Sequence, residues 1–218
     1  MEARACAGLS AATPNGRIVI LIPAAGAARR MRGRDKLLEP VDGIPLLRRQ
    51  AQRALETGAH VIVTLPTPDS PRFAALAGLP LQIVFVPDAT EGMAASVRRG
   101  AAAAPDDIAA LVILPADMPD LETGDLFLLI NGFQSEVSPT LQQATAADGT
   151  PGHPVLFPAD CLPALQMLSG DQGARDVLHA NAHRLRRIAL QGMRALTDLD
   201  TPEDWETWRR ARTPCAGD

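Results

Sequence analysis

Short apolar, β-branched runs recur at residues 18–22, 60–65, 81–86 and 111–114, each nearly continuous and bounded by Pro, Gly or Asp. Strands covered on both faces read this way, because neither face can carry polar residues, and parallel sheets are covered so. Helical spacing fills the intervals. Residues 45–57 open with Pro at a helix start and place Leu46, Leu47, Ala51, Ala54 and Leu55 on one face. Further helices are predicted over 71–77, 93–104 and 123–130. This alternation over the first 130 residues predicts a βαβ architecture with helices on both faces of the sheet.

The last third changes rhythm. Asp148-Gly149 lies between two extended stretches in 140–157, a hairpin signal. Short helices are expected over 159–168 and 174–180, a strand over 185–190, and a closing helix over 202–212 with Thr201 as its cap and Pro202 at its first position. Trp205 and Trp208 share one face of that helix and are expected to dock it. No internal repeat or dividing linker is present, so the reading is a single domain over 17–212 between tails at 1–16 and 213–218.

With 218 residues, 46% of them hydrophobic, the chain is long enough to bury a sizeable core without disulfides or metals. Aromatics make up only 3%, so that core is aliphatic. A net charge of −4 argues against a general nucleic-acid binder, and any anion site must be local. Cys6, Cys161 and Cys215 are odd in number and far apart, which points to a reducing, cytoplasmic compartment. The apolar run 18–28 contains Pro and Gly and is too short to span a membrane, and residues 1–16 do not read as a signal peptide.

The first strand ends in Ala24, Ala25 and Gly26, whose small side chains let a base or phosphate approach the backbone amides. Arg29, Arg30, Arg32, Arg34 and Lys36 follow, with Asp35 as the one anion among them, a net of four positive charges. Lys36 is also the one lysine among 21 basic side chains. The segment lies beyond the carboxyl end of a strand, where open α/β sheets bind ligands. A solvated charged loop is the plainer alternative. No G-x-G-x-x-G or G-x-x-x-x-G-K-[ST] pattern is present, so phosphates must be held differently.

Asp117, at the end of the fourth strand and before Pro119, suits a Mg²⁺ ion that also binds a phosphate, although it could equally cap the next helix. Asp200 is the candidate second metal ligand. Gly92 precedes a helix that carries Ser96 in its first turn, a place for ribose or a base edge or simply a helix start. Gly152 and His153 follow the hairpin turn. His179 and His183 lack a third ligand for zinc. No Ser/His/Asp or Cys/His set is evident. The chemistry left is phosphoryl or nucleotidyl transfer, which rests on positioning and charge neutralisation.

Five ordered motifs, Ala24-Ala-Gly26 with Arg30-Met31 and Lys36, Gly92-Met-Ala-Ala-Ser96, Asp117-Met-Pro119, Gly152-His-Pro154 and Asp198-Leu-Asp200-Thr-Pro-Glu-Asp204, span most of the chain. On these the chain resembles the molybdenum cofactor nucleotidyltransferases, in particular their cytidylyltransferase branch. The resemblance implies a Rossmann-like three-layer α/β/α nucleotidyltransferase fold, that of the nucleotide-diphospho-sugar transferases. It also implies transfer of CMP from CTP to the terminal phosphate of molybdopterin, with pyrophosphate released and a molybdoenzyme receiving the product. Arg30, Lys36 and Asp117 would be catalytic, and Asp117 and Asp200 would hold Mg²⁺. Ala24, Ala25, Gly26, Gly92, Ser96, Gly152 and His153 would bind the nucleotide or acceptor. The chain departs from the family pattern at Ala28, where Ser is usual, at Arg32, where Gly is usual, at Pro23, and in a loop from Met31 to Lys36 one residue longer. Rival readings are the same nucleotide site with a sugar phosphate or other small phosphate as acceptor, and a non-catalytic module that delivers the cofactor.

Overall fold

The computed structural model describes residues 16–27, 29–170 and 174–212; residues 1–15 of the tail expected at 1–16, the tail expected at 213–218, and Ala28 lie outside the described residues. The elements in chain order are β1 (Arg17–Pro23), β2 (Pro40–Val41), β3 (Ile44–Pro45), α1 (Leu46–Glu56), β4 (His60–Leu65), α2 (Pro71–Ala75), β5 (Gln82–Phe85), α3 (Met93–Ala102) and β6 (Ile108–Ile113). There follow α4 (Thr123–Gln134), β7 (Leu141–Thr145), β8 (Pro151–Pro158), α5 (Leu162–Leu165), α6 (Arg175–Ala180), β9 (Leu185–Ala189) and α7 (Pro202–Arg212).

The main sheet among the described residues has seven strands in the order β5-β4-β1-β6-β8-β7-β9. β1 pairs in parallel with both β4 and β6, whereas β8 runs antiparallel to β6 and β7. β1 alternates across the sheet: Ile18, Ile20 and Ile22 face the layer that holds Leu47 and Leu129, and Val19 and Leu21 face the layer that holds Val97 and Leu165. Both faces are therefore dry, which is why the strand reads as an unbroken apolar run. Close packing also decides residue size. A Cβ on Gly100 of α3 would come within 2.3 Å of Leu21 Cδ1, so the helix lies on the strand only because that position is glycine.

The expected elements are present with shifted ends. α4 runs four residues beyond the predicted 130, and the predicted helix over 159–168 is a 3₁₀ turn (Ala159–Cys161) followed by the single turn of α5. The two-residue ribbon β2–β3, turning at Asp42-Gly43, was not expected. α7 begins where its cap predicts. Asp204 N donates to Thr201 Oγ1 at 3.2 Å and Thr201 N donates to Asp204 Oδ2 at 2.8 Å, a reciprocal cap that satisfies otherwise orphaned donors.

Trp205 is 1% exposed and packs with Met31, Val41, Leu46 and Leu199, while Trp208 lies edge-on to it at 5.8 Å and donates to Asp120 Oδ1 at 2.9 Å. α7 is thereby fixed against the segment that follows β1. Trp205→Ala is expected to cost about 3–5 kcal/mol, read from the urea unfolding midpoint, and to release α7 first in hydrogen exchange. An unchanged midpoint would show that the helix is not docked by this side chain.

Candidate functional site

β1 has β4 on one side and β6 on the other, and the chain reaches β4 directly from β1 but reaches β6 only after β5. The order reverses at this point, and the loops leaving β1 and β6 part there to open a crevice beyond the strands' carboxyl ends. Residues 24–36 come from one wall and residues 114–120 from the other.

The first wall is held down at several points. Ala24 N donates to Thr64 O at 3.0 Å, and Ala25 packs against Val86 and Ala95. Since Ala95 belongs to the first turn of α3, the Ala24-Ala25-Gly26 and Gly92–Ser96 segments form one continuous surface. Gly92 has φ +92°, in the left-handed region that favours glycine, and lets the chain turn directly into α3. Ser96 is 2% exposed.

Lys36 carries the centre of the site. Its Nζ donates to Asp117 Oδ2 and to Asp200 Oδ1, both at 2.5 Å, and Arg30 Nη1 donates to Asp200 Oδ2 at 2.6 Å. All three predicted catalytic residues and both predicted metal ligands thus meet. Burial works against the Lys36 ammonium, yet Asp117 and Asp200 together outweigh it and hold its pKa above the ordinary 10.5. Backbone and side-chain bonds bring the acids together. Leu199 N donates to Asp117 O at 3.1 Å, and Asp200 N donates to Asp204 Oδ2 at 3.2 Å, so the α7 cap also orients Asp200. On the other side Gln50 of α1 donates to Met118 O, and Arg53 donates to Pro119 O at 2.9 Å and to Leu121 O.

Gly152 and His153 lie on β8, which pairs Val155 with Ile113 of β6, so antiparallel progress carries His153 past the end of β6 toward Asp117. A Cβ on Gly152 would fall 2.0 Å from Ala195 O, and His153 N donates to that same oxygen at 2.9 Å. His153 Nδ1 is buried with no hydrogen-bond partner. Burial pushes the His153 pKa below 6.5, although Asp117 and Asp198 pull the other way. Burial and the neighbouring Asp117 raise the pKa of Asp198.

The positive charge expected of the loop is partly matched by carboxylates. Arg30 pairs with Asp200, Arg32 with Glu203 at 2.5 Å and Arg34 with Glu39 at 3.2 Å, so carboxylates from α7 and from before α1 already face these cations. Asp35 is engaged from elsewhere, by Arg72 of α2, a residue the sequence reading passed over. Arg72 stands in no motif, and nothing marks it among so many arginines. A second omission is Asp88, pushed down to about 2 chiefly by the hydrogen bond from Arg99, with Arg98 also donating to it; these bonds brace the turn before Gly92. Cys161 is buried and free, and Cys6 and Cys215 lie outside the described residues. Among the described residues no helix is long and apolar enough to cross a membrane.

Among the described residues no three His, Cys, Asp or Glu side chains are gathered as a metal site. The two carboxylates still fit a hard divalent cation. Asp117 Oδ2 and Asp200 Oδ1 converge on the point that Lys36 Nζ holds here, so a divalent cation would take that place only as Lys36 turns from the carboxylates onto a phosphate; Mg²⁺ is commonly held by one or two carboxylates with phosphates and water completing the shell.

The family described as the MobA-like NTP transferase domain matches residues 20–186. Purine catabolism protein PucB of Bacillus subtilis (strain 168) is 29% identical over 198 residues, 86% of this chain and 94% of that protein. Nicotine blue oxidoreductase of Paenarthrobacter nicotinovorans is 30% identical over 185 residues, 83% and 90% of the two chains. Molybdenum cofactor guanylyltransferase of Serratia proteamaculans (strain 568) is 27% identical over 198 residues, 88% and 94%. Among solved structures, Rv0371c of Mycobacterium tuberculosis H37Rv superposes with a TM-score of 0.77 at 26% identity, covering 91% of this chain and 99% of that one. Its complex with manganese gives 0.73 at 26% identity, covering 88% and 97%.

The Lys36 pairing has a pH signature. Because the folded-state pKa is raised, its contribution is fully present below the unfolded value of 10.5 and is lost as pH rises through the folded value. Lys36→Gln is expected to lower stability by about 2 kcal/mol, a gap constant from neutral pH to near pH 10 and closing above it in urea titrations. A gap that stays constant as pH rises through the folded value would contradict the assignment.

Proposed function

The chain belongs to the MobA-like NTP transferase family and has the nucleotide-diphospho-sugar transferase fold, and from that premise we propose that it transfers CMP from CTP to the terminal phosphate of molybdopterin, releasing pyrophosphate. The observation that carries the reading is the convergence of Lys36, Arg30, Asp117 and Asp200 where the strand order reverses. An acceptor phosphate is already a nucleophile, so no general base is needed. One of its oxygens attacks the α-phosphorus of CTP, the bond to the bridging oxygen breaks, and pyrophosphate leaves with the electron pair. Repulsion between anions is the main obstacle, and charge placed ahead of time lowers it most.

Arg30 and Lys36 are the cations within reach of such phosphates. Asp117 and Asp200 would hold a divalent ion, Mg²⁺ by the hardness of their oxygen donors and consistent with manganese in the related Rv0371c crystals, and that ion would neutralise phosphate charge when bound. The amides of Ala25 and Gly26 would read the base, with Ser96 supporting that surface from beneath. CTP is favoured over GTP because, in the family that the motifs resemble, the Ala24-Ala25-Gly26 form accompanies CTP and an Ala-Gly-Gly form accompanies GTP. The Gly92-Met-Ala-Ala-Ser96 motif, which also accompanies CTP in the resemblance, supports the same choice. Gly152 and His153, across the crevice from that wall, belong to the acceptor side. A molybdoenzyme would take the product, and the cytoplasm is the compartment that fits this chemistry.

A relative named for guanylyl transfer makes GTP the donor to compare, and the differing names of the relatives make the acceptor the second variable. Purified protein incubated with Mg²⁺ or Mn²⁺, CTP or GTP, and molybdopterin or a sugar phosphate, with pyrophosphate measured, separates these readings. Release from CTP with molybdopterin is the expected outcome; release with sugar phosphate alone reassigns the acceptor, and CTP binding without release under any acceptor makes the protein a delivery module. Asp117→Ala should abolish turnover and metal-dependent nucleotide binding. Lys36→Arg should lower kcat by about 10²-fold with the fold intact, because a planar fork cannot replace a compact charge between two carboxylates.

A further inference from the structure

Arg72 stands at the start of α2 on the far side of the 24–36 segment from the crevice, 4% exposed. Ser70 Oγ accepts from Arg72 N at 3.4 Å and Pro71 takes the first helical position, which fixes where the side chain leaves the helix. Its guanidinium is almost fully used. Nε donates to Asp35 Oδ2 at 2.6 Å and Nη2 to Asp35 Oδ1 at 2.9 Å, a bidentate pair; Nη1 donates to Ala24 O at 2.6 Å and to Gly26 O at 2.8 Å.

We propose that Arg72 is a positioning residue for nucleotide binding, which turns the amides of Ala25 and Ala27 toward the crevice and sets the position of Lys36. The proposal rests on the nucleotidyltransferase reading above. The carbonyl and the N–H of a trans peptide point in opposite directions. With the oxygens of Ala24 and Gly26 drawn to Arg72, the N–H groups of Ala25 and Ala27, in the same two peptide units, point away from it. Neither amide has a hydrogen-bond partner among the described residues. Two parallel donors separated by one small residue suit a phosphate oxygen or the acceptor edge of a base. The other half of the guanidinium grips Asp35, the residue before Lys36, and Leu37 N also donates to Asp35 Oδ1 at 3.1 Å. Both ends of the segment are thus referred to one buried group, and Lys36 leaves it aimed at Asp117 and Asp200.

Only a fork serves. A lysine at 72 keeps the charge, so Asp35 is not left uncompensated, but a single ammonium cannot span a carboxylate and two carbonyls at once. A merely structural arginine and a positioning one therefore differ in kinetics. In Arg72→Lys the KM for CTP is expected to rise about tenfold, the pattern of lost binding common to ground and transition states, with a smaller fall in kcat as Lys36 shifts with Asp35. In the parent protein, Mg²⁺ and CTP are expected to shift the ¹⁵N–¹H resonances of Ala25 and Ala27. That measurement decides the matter if the variant does not fold.

A variant with a lowered melting temperature and an unchanged KM would overturn the proposal, as would parent amides that stay put while CTP binds. Both results leave the nucleotidyltransferase reading standing. A parent protein that binds no nucleotide at all removes both together.

Discussion

Two carboxylates that face each other at the end of a parallel sheet repel unless a cation lies between them, and here that cation is Lys36. Its two partners come from positions 81 and 164 residues further along the chain. Everything around the crevice can be understood as satisfying that arrangement: β1 and β6 side by side to bring the loops together, the Leu199-to-Asp117 backbone bond to place Asp200, and the tryptophans of α7 to hold the helix down. An ion pair this covered gains from low dielectric but must be fully paired to be tolerated. Arg30 on the second oxygen of Asp200 supplies part of that pairing.

The same electrostatics give the basic loop a different character from the one its composition suggests. Arg30, Arg32 and Arg34 are each paired with a carboxylate while staying more than half exposed, so the loop's positive charge is partly matched yet still faces solvent. In the nucleotidyl transfer proposed above, an incoming triphosphate would compete with carboxylates for those guanidinium groups. Specificity gains from this, because a weakly charged anion has little to offer in exchange, whereas several clustered phosphate charges can replace several carboxylates together.

Much of this was legible in the residue pattern, for identifiable reasons. The strand at 60–65 and the helix at 202–212 stand where they were read, since the first is a dry parallel strand and the second is announced by Thr201 and Pro202. Lys36, Asp117 and Asp200 could be singled out because each stands in a motif beside a strand end or helix start. Other features depend on contacts distant in sequence. α4 continues through Gly132, where glycine serves close packing, as a Cβ there would lie 3.1 Å from Gln142 Oε1. Arg72 and Asp35 are 37 residues apart, and no periodicity links them. The ribbon at 40–45 is too short to leave a signature, and the pairing of Arg32 with Glu203 becomes visible only when α7 is in place.

The docking of α7 also governs when the site comes into being. Asp200 is 170 residues from Arg30, and the Trp205 that secures it packs against Met31. During synthesis, β1 and its loop leave the ribosome long before their acidic partners exist. A chain that has emerged only through β6 has Lys36 and Asp117 but not the second carboxylate. The loop's arginines then have no helix to close upon, and the crevice is only half built. Assembly of the centre is thus a late, long-range event in folding, and a chain cut before Asp200 cannot gain the paired-acid centre.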